Sequence, residues 1–132
     1  MDACIARKLA RGWIEAWQRM DLAWLREHLA DDFVHVSPLG RLEGRDHYLA
    51  TVEPMARKSV ARLEIRDVVA ETRADGDRAA VRFVNHSAGG EIPSCDWLEV
   101  SDRRIVSVCS FYDTVALQDV LSDDDRRRLD KG

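Results

Sequence analysis

The chain has 132 residues, of which 45% are hydrophobic and 33% charged, a balance that suits one packed core over residues 1–132 and excludes disorder. A net charge of −4 at pH 7, with arginines scattered along the chain, excludes a nucleic-acid backbone as partner. No apolar run approaches the roughly 20 residues that cross a bilayer and no basic leader precedes an apolar stretch, so a cytoplasmic protein without a membrane partner is expected.

From Asp2 to Met20 the apolar residues Ile5, Leu9, Trp13, Trp17 and Met20 recur every three or four positions, with arginines and Glu15 between them. This spacing predicts an amphipathic helix. Asp21 is placed to cap a second helix whose buried stripe is Leu22, Leu25 and Leu29, because its side chain can accept from a free backbone N–H. A short strand over Phe33–Ser37 then meets the breakers Pro38 and Gly40, and Gly44 precedes a third helix carrying Tyr48, Val52 and Met55. Pro54 lacks a backbone donor and is expected to kink or end that helix. Strands follow over Val60–Thr72, Ala79–Ser87, Ile92–Val100 and Arg104–Val115, turned at Asp75-Gly76, Gly89-Gly90 and Asp102-Arg103. The segment from Leu117 to Gly132, with three aspartates before three arginines, is expected to be a solvated short helix or frayed tail.

Helices first and an antiparallel meander afterwards predict an α+β fold, a curved sheet wrapped around helices from the N-terminal half, with an apolar cavity at one end. The stretch DDFVHVSPLGRLEGRD from Asp31 to Asp46, set in this order of elements, resembles the cone-shaped, cystatin-like roll of the nuclear transport factor 2-like superfamily, which includes ketosteroid isomerase and the SnoaL-like polyketide cyclases. The resemblance runs from Arg11-Gly12-Trp13-Ile14-Glu15 to Ser110-Phe111-Tyr112. It implies an aspartate base just before a proline on the first strand, where this chain has Ser37. It implies an oxyanion-hole tyrosine on the first helix, where this chain has Trp13. The second oxyanion donor of ketosteroid isomerase, an aspartic acid kept protonated by an apolar site, falls on Asp96.

Side chains alternate across a strand, so parity extends these assignments. His35 shares the face of Ser37 and is the side chain best suited to carry a proton near neutral pH. The same parity, with the helical spacing, places Trp13, Trp17, Met55, Val81, Phe83, Asn85, Asp96, Leu98, Val108, Ser110 and Tyr112 around the cavity. His28 and His47 are expected on the surface, with His86 and Asp113 facing away from the cavity. Loss of the strand-one aspartate argues against steroid isomerisation. The Arg-x-Asp of limonene-epoxide hydrolases occurs only in the Arg73-Ala74-Asp75 turn.

These residues predict a pocket for a hydrophobic small molecule. The leading expectation is a lyase, isomerase or cyclase that uses no cofactor, in which His35 removes a proton and neutral Asp96 donates to the developing oxyanion. Trp13 and Tyr112 would orient the substrate. The alternative is a non-catalytic module that binds an apolar ligand or dimerises. The resemblance implies a homodimer through the outer sheet face. Cys4, Cys95 and Cys109 have no Cys-x-x-Cys or ligand-spaced histidine, and are expected to be buried thiols in a reducing compartment, with no metal site.

Overall fold

In the computed structural model the described residues are 3–60, 62–87, 90–115 and 127. The order of elements is α1 (Ala3–Arg19), α2 (Leu22–His28), β1 (Leu29–Ser37), β2 (Gly40–Glu43), α3 (Arg45–Ser59), β3 (Arg62–Arg73), β4 (Gly76–Ser87), β5 (Gly90–Ser101) and β6 (Arg104–Tyr112). The six strands form one sheet in the order β2-β1-β6-β5-β4-β3. Neighbours pair antiparallel except β1 and β6, which run parallel, so the sheet is mixed.

Helix α1 turns Ala6, Leu9, Ala10, Trp13, Ile14 and Trp17 inward against the sheet, as its spacing predicts. Arg7 Nη1 ties it to β3 through the Val68 carbonyl at 2.6 Å. Asp21 caps α2 as expected, accepting from the Trp24 N–H at 3.0 Å. Gly12 lets α2 close on α1, because a Cβ there would overlap Trp24 Cζ2 and lie 2.7 Å from Cη2. Trp24 is therefore partly exposed packing between the two helices, with its ring stacked 4.0 Å from His28. His28 itself is only half-exposed, its Nδ1 2.8 Å from the Trp24 carbonyl.

Four local expectations are corrected. Strand β1 starts at Leu29, four residues before Phe33, and pairs with the short strand β2, which the Pro38 and Gly40 breakers had concealed. Pro54 lies inside α3 and does not end it, since the helix continues to Ser59. The missing donor removes one hydrogen bond without breaking the packing of Tyr48, Leu49, Met55 and Ala56 on the sheet. Strand β6 ends at Tyr112, and Asp113 instead accepts from the Val115 N–H at 2.9 Å. The cysteines are not core: Cys4 is exposed, and Cys95 and Cys109 are half-exposed on the outer sheet face. Asp2, the Gly89 half of the Gly89-Gly90 turn, and the tail from Leu117 to Gly132, Arg127 excepted, lie outside the described residues.

Curvature comes from breaks in register. The ladders slip between Ile65 and Asp67, between Glu99 and Val100, and between Leu29 and Val34, and each extra residue bends its strand. At the Asp102-Arg103 turn both residues take positive φ, 52° and 62°, the backbone a two-residue hairpin of this hand requires. The resulting concave face receives α1 and α3, and what they do not fill is the cavity.

Candidate active site

The cavity, about 170 Å³, lies between the concave face of the sheet and helices α1 and α3. Trp13 and Trp17 reach it from α1, His35 and Ser37 from β1, Met55 from α3, Phe83 and Asn85 from β4, Asp96 from β5, and Ser110 and Tyr112 from β6. Parity succeeded on β4, β5 and β6 because each runs unbroken through this stretch: Asp96 pairs directly with Val81 on one side and Ser110 on the other. Leu98, Val81 and Val108 are corrections. They have the right parity but lie deeper, fully buried in the core and not in the cavity wall.

At the buried end the polar side chains form a connected row. Trp13 Nε1 donates to Asp96 Oδ2 at 2.7 Å. Ser110, directly across the ladder from Asp96, lies 3.0 Å from His35 Nε2 through its Oγ. The Ser110 hydroxyl also favours the charged form of Asp96, although Asp96 Oδ1 is buried without a well-formed hydrogen bond. Burial is the largest influence on Asp96, which is only 4% exposed, and pushes its pKa up to about 6 against the Trp13 and Ser110 hydrogen bonds. Burial also pushes His35 down to about 4. Its remaining accessible surface belongs to the cavity, where its ring forms part of the wall.

Two assignments change with this geometry. The Trp13 indole N–H is committed to Asp96 and cannot also orient a ligand. Neither oxygen of Asp96 is free to donate directly to one, since Oδ2 accepts from Trp13 and Oδ1 has no accessible surface to speak of. Tyr112 does face the cavity beside Ser37, and burial, the larger effect, raises its pKa against the Ser37 hydrogen bond. Tyr48 is an aromatic wall residue that the sequence reading missed, as it missed the buried Ser94 of β5. Tyr48 is 2% exposed, stacks on Trp13 at 6.1 Å, and meets Phe33 and His35 at ring separations of 5.0 Å. Burial and the nearby Asp96 hold its phenol well above the usual range, opposed by the Trp17 indole.

The remaining histidines lie elsewhere. His86 is paired outside the cavity with Glu64 at 3.0 Å and Glu91 at 3.6 Å, and His47 is exposed. Asp113 is exposed as well. Among the described residues no group of three or more His, Cys, Asp or Glu could hold a metal ion, and no helix is long and apolar enough to cross a membrane.

The sequence model of the SnoaL-like domain family matches residues 10–108. The chain belongs to that family. The SnoaL-like domain is similar over its full length to a Kribbella flavida protein of 23% identity, with a TM-score of 0.74 and both chains covered completely. It resembles a Pseudomonas putida protein provisionally described as a polyketide cyclase, at 23% identity and TM-score 0.69, over 89% of this chain and 98% of that one. A second Kribbella flavida protein, provisionally described as a ketosteroid isomerase, matches at 22% identity and TM-score 0.71 over 85% and 80% of the two chains. At these identities the likeness establishes the nuclear transport factor 2-like fold of the SnoaL-like domain. No protein of curated function matches its sequence.

Proposed function

We propose that this SnoaL-like domain binds a compact, largely apolar carbonyl compound and moves a proton on it by acid–base chemistry alone, as a lyase, isomerase or cyclase. The observation that carries the reading is an imidazole in the wall of an apolar cavity, linked through Ser110 to a buried carboxyl. His35 is the group that meets the substrate. Asp96 stores the proton behind it, and its upward shift to about 6 makes it the better proton holder of the two. The Tyr112 hydroxyl, inside the cavity wall, supplies a donor for the carbonyl oxygen.

Hydrogen–deuterium exchange next to the carbonyl tests this without knowledge of the natural substrate. Cyclic ketones and β-diketones are incubated with the protein in D2O and followed by NMR. Accelerated exchange is expected, reduced on the order of 100-fold in His35→Gln, the usual scale for loss of a general base. Exchange no faster than in buffer, or unchanged in the variant, would refute the assignment.

A second reading rests on Ser37, which stands where ketosteroid isomerase has its base. In that reading the domain binds an apolar ligand without turnover, so the ligand raises the melting temperature and is recovered intact. For assembly, we propose a homodimer through the outer sheet face, where Trp97 and Phe111 are 40% and 57% exposed. Size-exclusion chromatography with light scattering measures it, and a monomer at micromolar concentration would rule it out. Three free thiols fit a cytoplasmic setting.

A further inference from the structure

The row Trp13, Asp96, Ser110, His35 has a directional consequence that its members lack singly. Trp13 has only a donor to offer, so Asp96 Oδ2 must be the accepting oxygen at 2.7 Å. A proton on Asp96 is then better placed on Oδ1, the buried oxygen without a well-formed partner, since Oδ2 already accepts from Trp13. Ser110 is the cross-strand neighbour of Asp96, and its hydroxyl has one hydrogen and two lone pairs. Ser110 Oγ lies 3.0 Å from His35 Nε2, and its hydroxyl favours the charged form of Asp96; with Asp96 charged, a Ser110 hydrogen turned toward Oδ1 would leave its lone pair to accept from Nε2. Nδ1 of His35 would then be the bare nitrogen. With Asp96 protonated, Oδ1–H would donate to Ser110, the Ser110 hydrogen would turn to Nε2, and Nδ1 would carry the ring hydrogen.

We infer that Ser110 couples His35 and Asp96 into a single proton relay, in which the charge on Asp96 decides which nitrogen of His35 bears the hydrogen. Ser110 is a positioning residue here, acting through the imidazole. This deepens the proposed function and rests on it for its catalytic use. A substrate C–H bond breaks and its proton goes to Nδ1, while the electron pair stays on the substrate as an enolate. The Nε2 hydrogen passes to Ser110 Oγ, and the Ser110 hydrogen passes to Asp96 Oδ1. One negative charge leaves Asp96 and appears on the enolate, and the imidazole is neutral before and after. That route suits a ring whose burial opposes a positive charge. Running it backwards returns the proton to a different substrate atom.

The other titratable groups facing this row are Tyr48 from α3 and Tyr112 from β6, both held neutral by upward shifts. Helix α1 contributes Trp13 and Trp17, and β4 contributes Phe83 and Asn85, none of which titrates. Cys95 neighbours Asp96 along β5, and its thiol is likewise raised by burial and by that carboxyl. Between about pH 4.5 and pH 8 Asp96 is thus the group whose charge changes beside His35.

NMR of the full chain with 15N-labelled histidine reads the ring tautomer directly and needs no substrate. His35 is assigned by its loss in His35→Gln. In the wild type the hydrogen should move from Nε2 to Nδ1 as pH falls through the midpoint of the Asp96 carboxyl, followed by its 13C resonance. Asp96→Asn should lock the Nδ1–H form at every pH, because Trp13 holds the amide oxygen and turns the NH2 group toward Ser110. Ser110→Ala should uncouple the ring from Asp96, and Ser110→Thr, which keeps the hydroxyl, should retain the switch. A tautomer unchanged across the Asp96 titration in the wild type overturns the inference. So does a switch that persists in Ser110→Ala or in Asp96→Asn. The result stands apart from turnover: a relay without hydrogen exchange would refute the proposed function alone.

Discussion

The indole N–H of Trp13 meets Asp96 Oδ2 at 2.7 Å across the interface of α1 and β5, joining positions 83 residues apart. Burial drives Asp96 toward its neutral form, and this hydrogen bond is the largest influence opposing it. Trp13→Phe keeps much of the ring packing and deletes the donor. The Asp96 midpoint should then rise above about 6, read from the carboxyl 13C shift. Stability at neutral pH should fall by about 1.5–3 kcal/mol, the usual worth of a hydrogen bond to a charged group. A midpoint at or below the wild-type value would show that the bond does not hold the charge.

A second expectation concerns pH. Burial lowers His35 from 6.5 to about 4 and raises Asp96 from 3.8 to about 6. Between about pH 4 and 6 the unfolded chain holds a proton on the imidazole, whereas the folded chain holds one on the carboxyl. The unfolded state binds the extra histidine proton, so that contribution to stability rises with pH. The folded state binds the extra aspartate proton, so that contribution falls. At 1.36 kcal/mol per unit, each amounts to about 3 kcal/mol over the window, and together they nearly cancel. His35→Gln should therefore lose about 3 kcal/mol between pH 4 and 6 relative to wild type, and Asp96→Asn should gain about 3. Urea denaturation at stepped pH measures both. Curves parallel to wild type would mean that the two groups are not perturbed in opposite directions.

The sequence revealed the fold and most of the cavity for the same physical reason. Strict alternation on β4, β5 and β6 puts Phe83, Asn85, Asp96, Ser110 and Tyr112 on one face, and no register slip intervenes there. Parity assigns a face but not a depth, which is why Leu98 was placed in the wall although it packs in the core. Tyr48 occupies an apolar position of α3, so its spacing explained it as packing and gave no sign of its 5.0 Å approach to His35. The link from His35 to Ser110 depends on the parallel pairing of β1 with β6, a contact 75 residues apart that local patterns do not encode. The four-residue strand β2 was too short to carry a periodic signal.

Gly12 provides a test in which propensity and packing have opposite signs. Glycine inside a helix ordinarily costs about 1 kcal/mol relative to alanine, so Gly12→Ala would stabilise an unencumbered helix. Here the new methyl overlaps the Trp24 ring and must displace it from its stack on His28. A net loss of about 1 kcal/mol or more is expected. In a Trp24→Leu background the obstacle is gone, and the same substitution should become neutral or stabilising. Thermal unfolding of the four proteins closes the cycle. Stabilisation by Gly12→Ala in the wild-type background would mean that Trp24 yields freely.

Cavity size sets a limit on the ligand. About 170 Å³ is little more than the roughly 150 Å³ that accommodates benzene in an engineered apolar cavity, so one substituted ring fills it and most of a four-ring steroid would stay outside. Monocyclic ketones should raise the melting temperature in proportion to their concentration, with a stabilisation of about 2.7 kcal/mol at a hundredfold excess over Kd. A steroid ketone at its solubility limit should leave it unchanged. Met55, 5% exposed in the wall, is the side chain to enlarge: Met55→Phe narrows the space without adding a polar group and should weaken binding of the monocyclic compounds. Equal shifts from steroid and single ring, or a Met55→Phe protein that binds as wild type, would place the ligand outside this cavity.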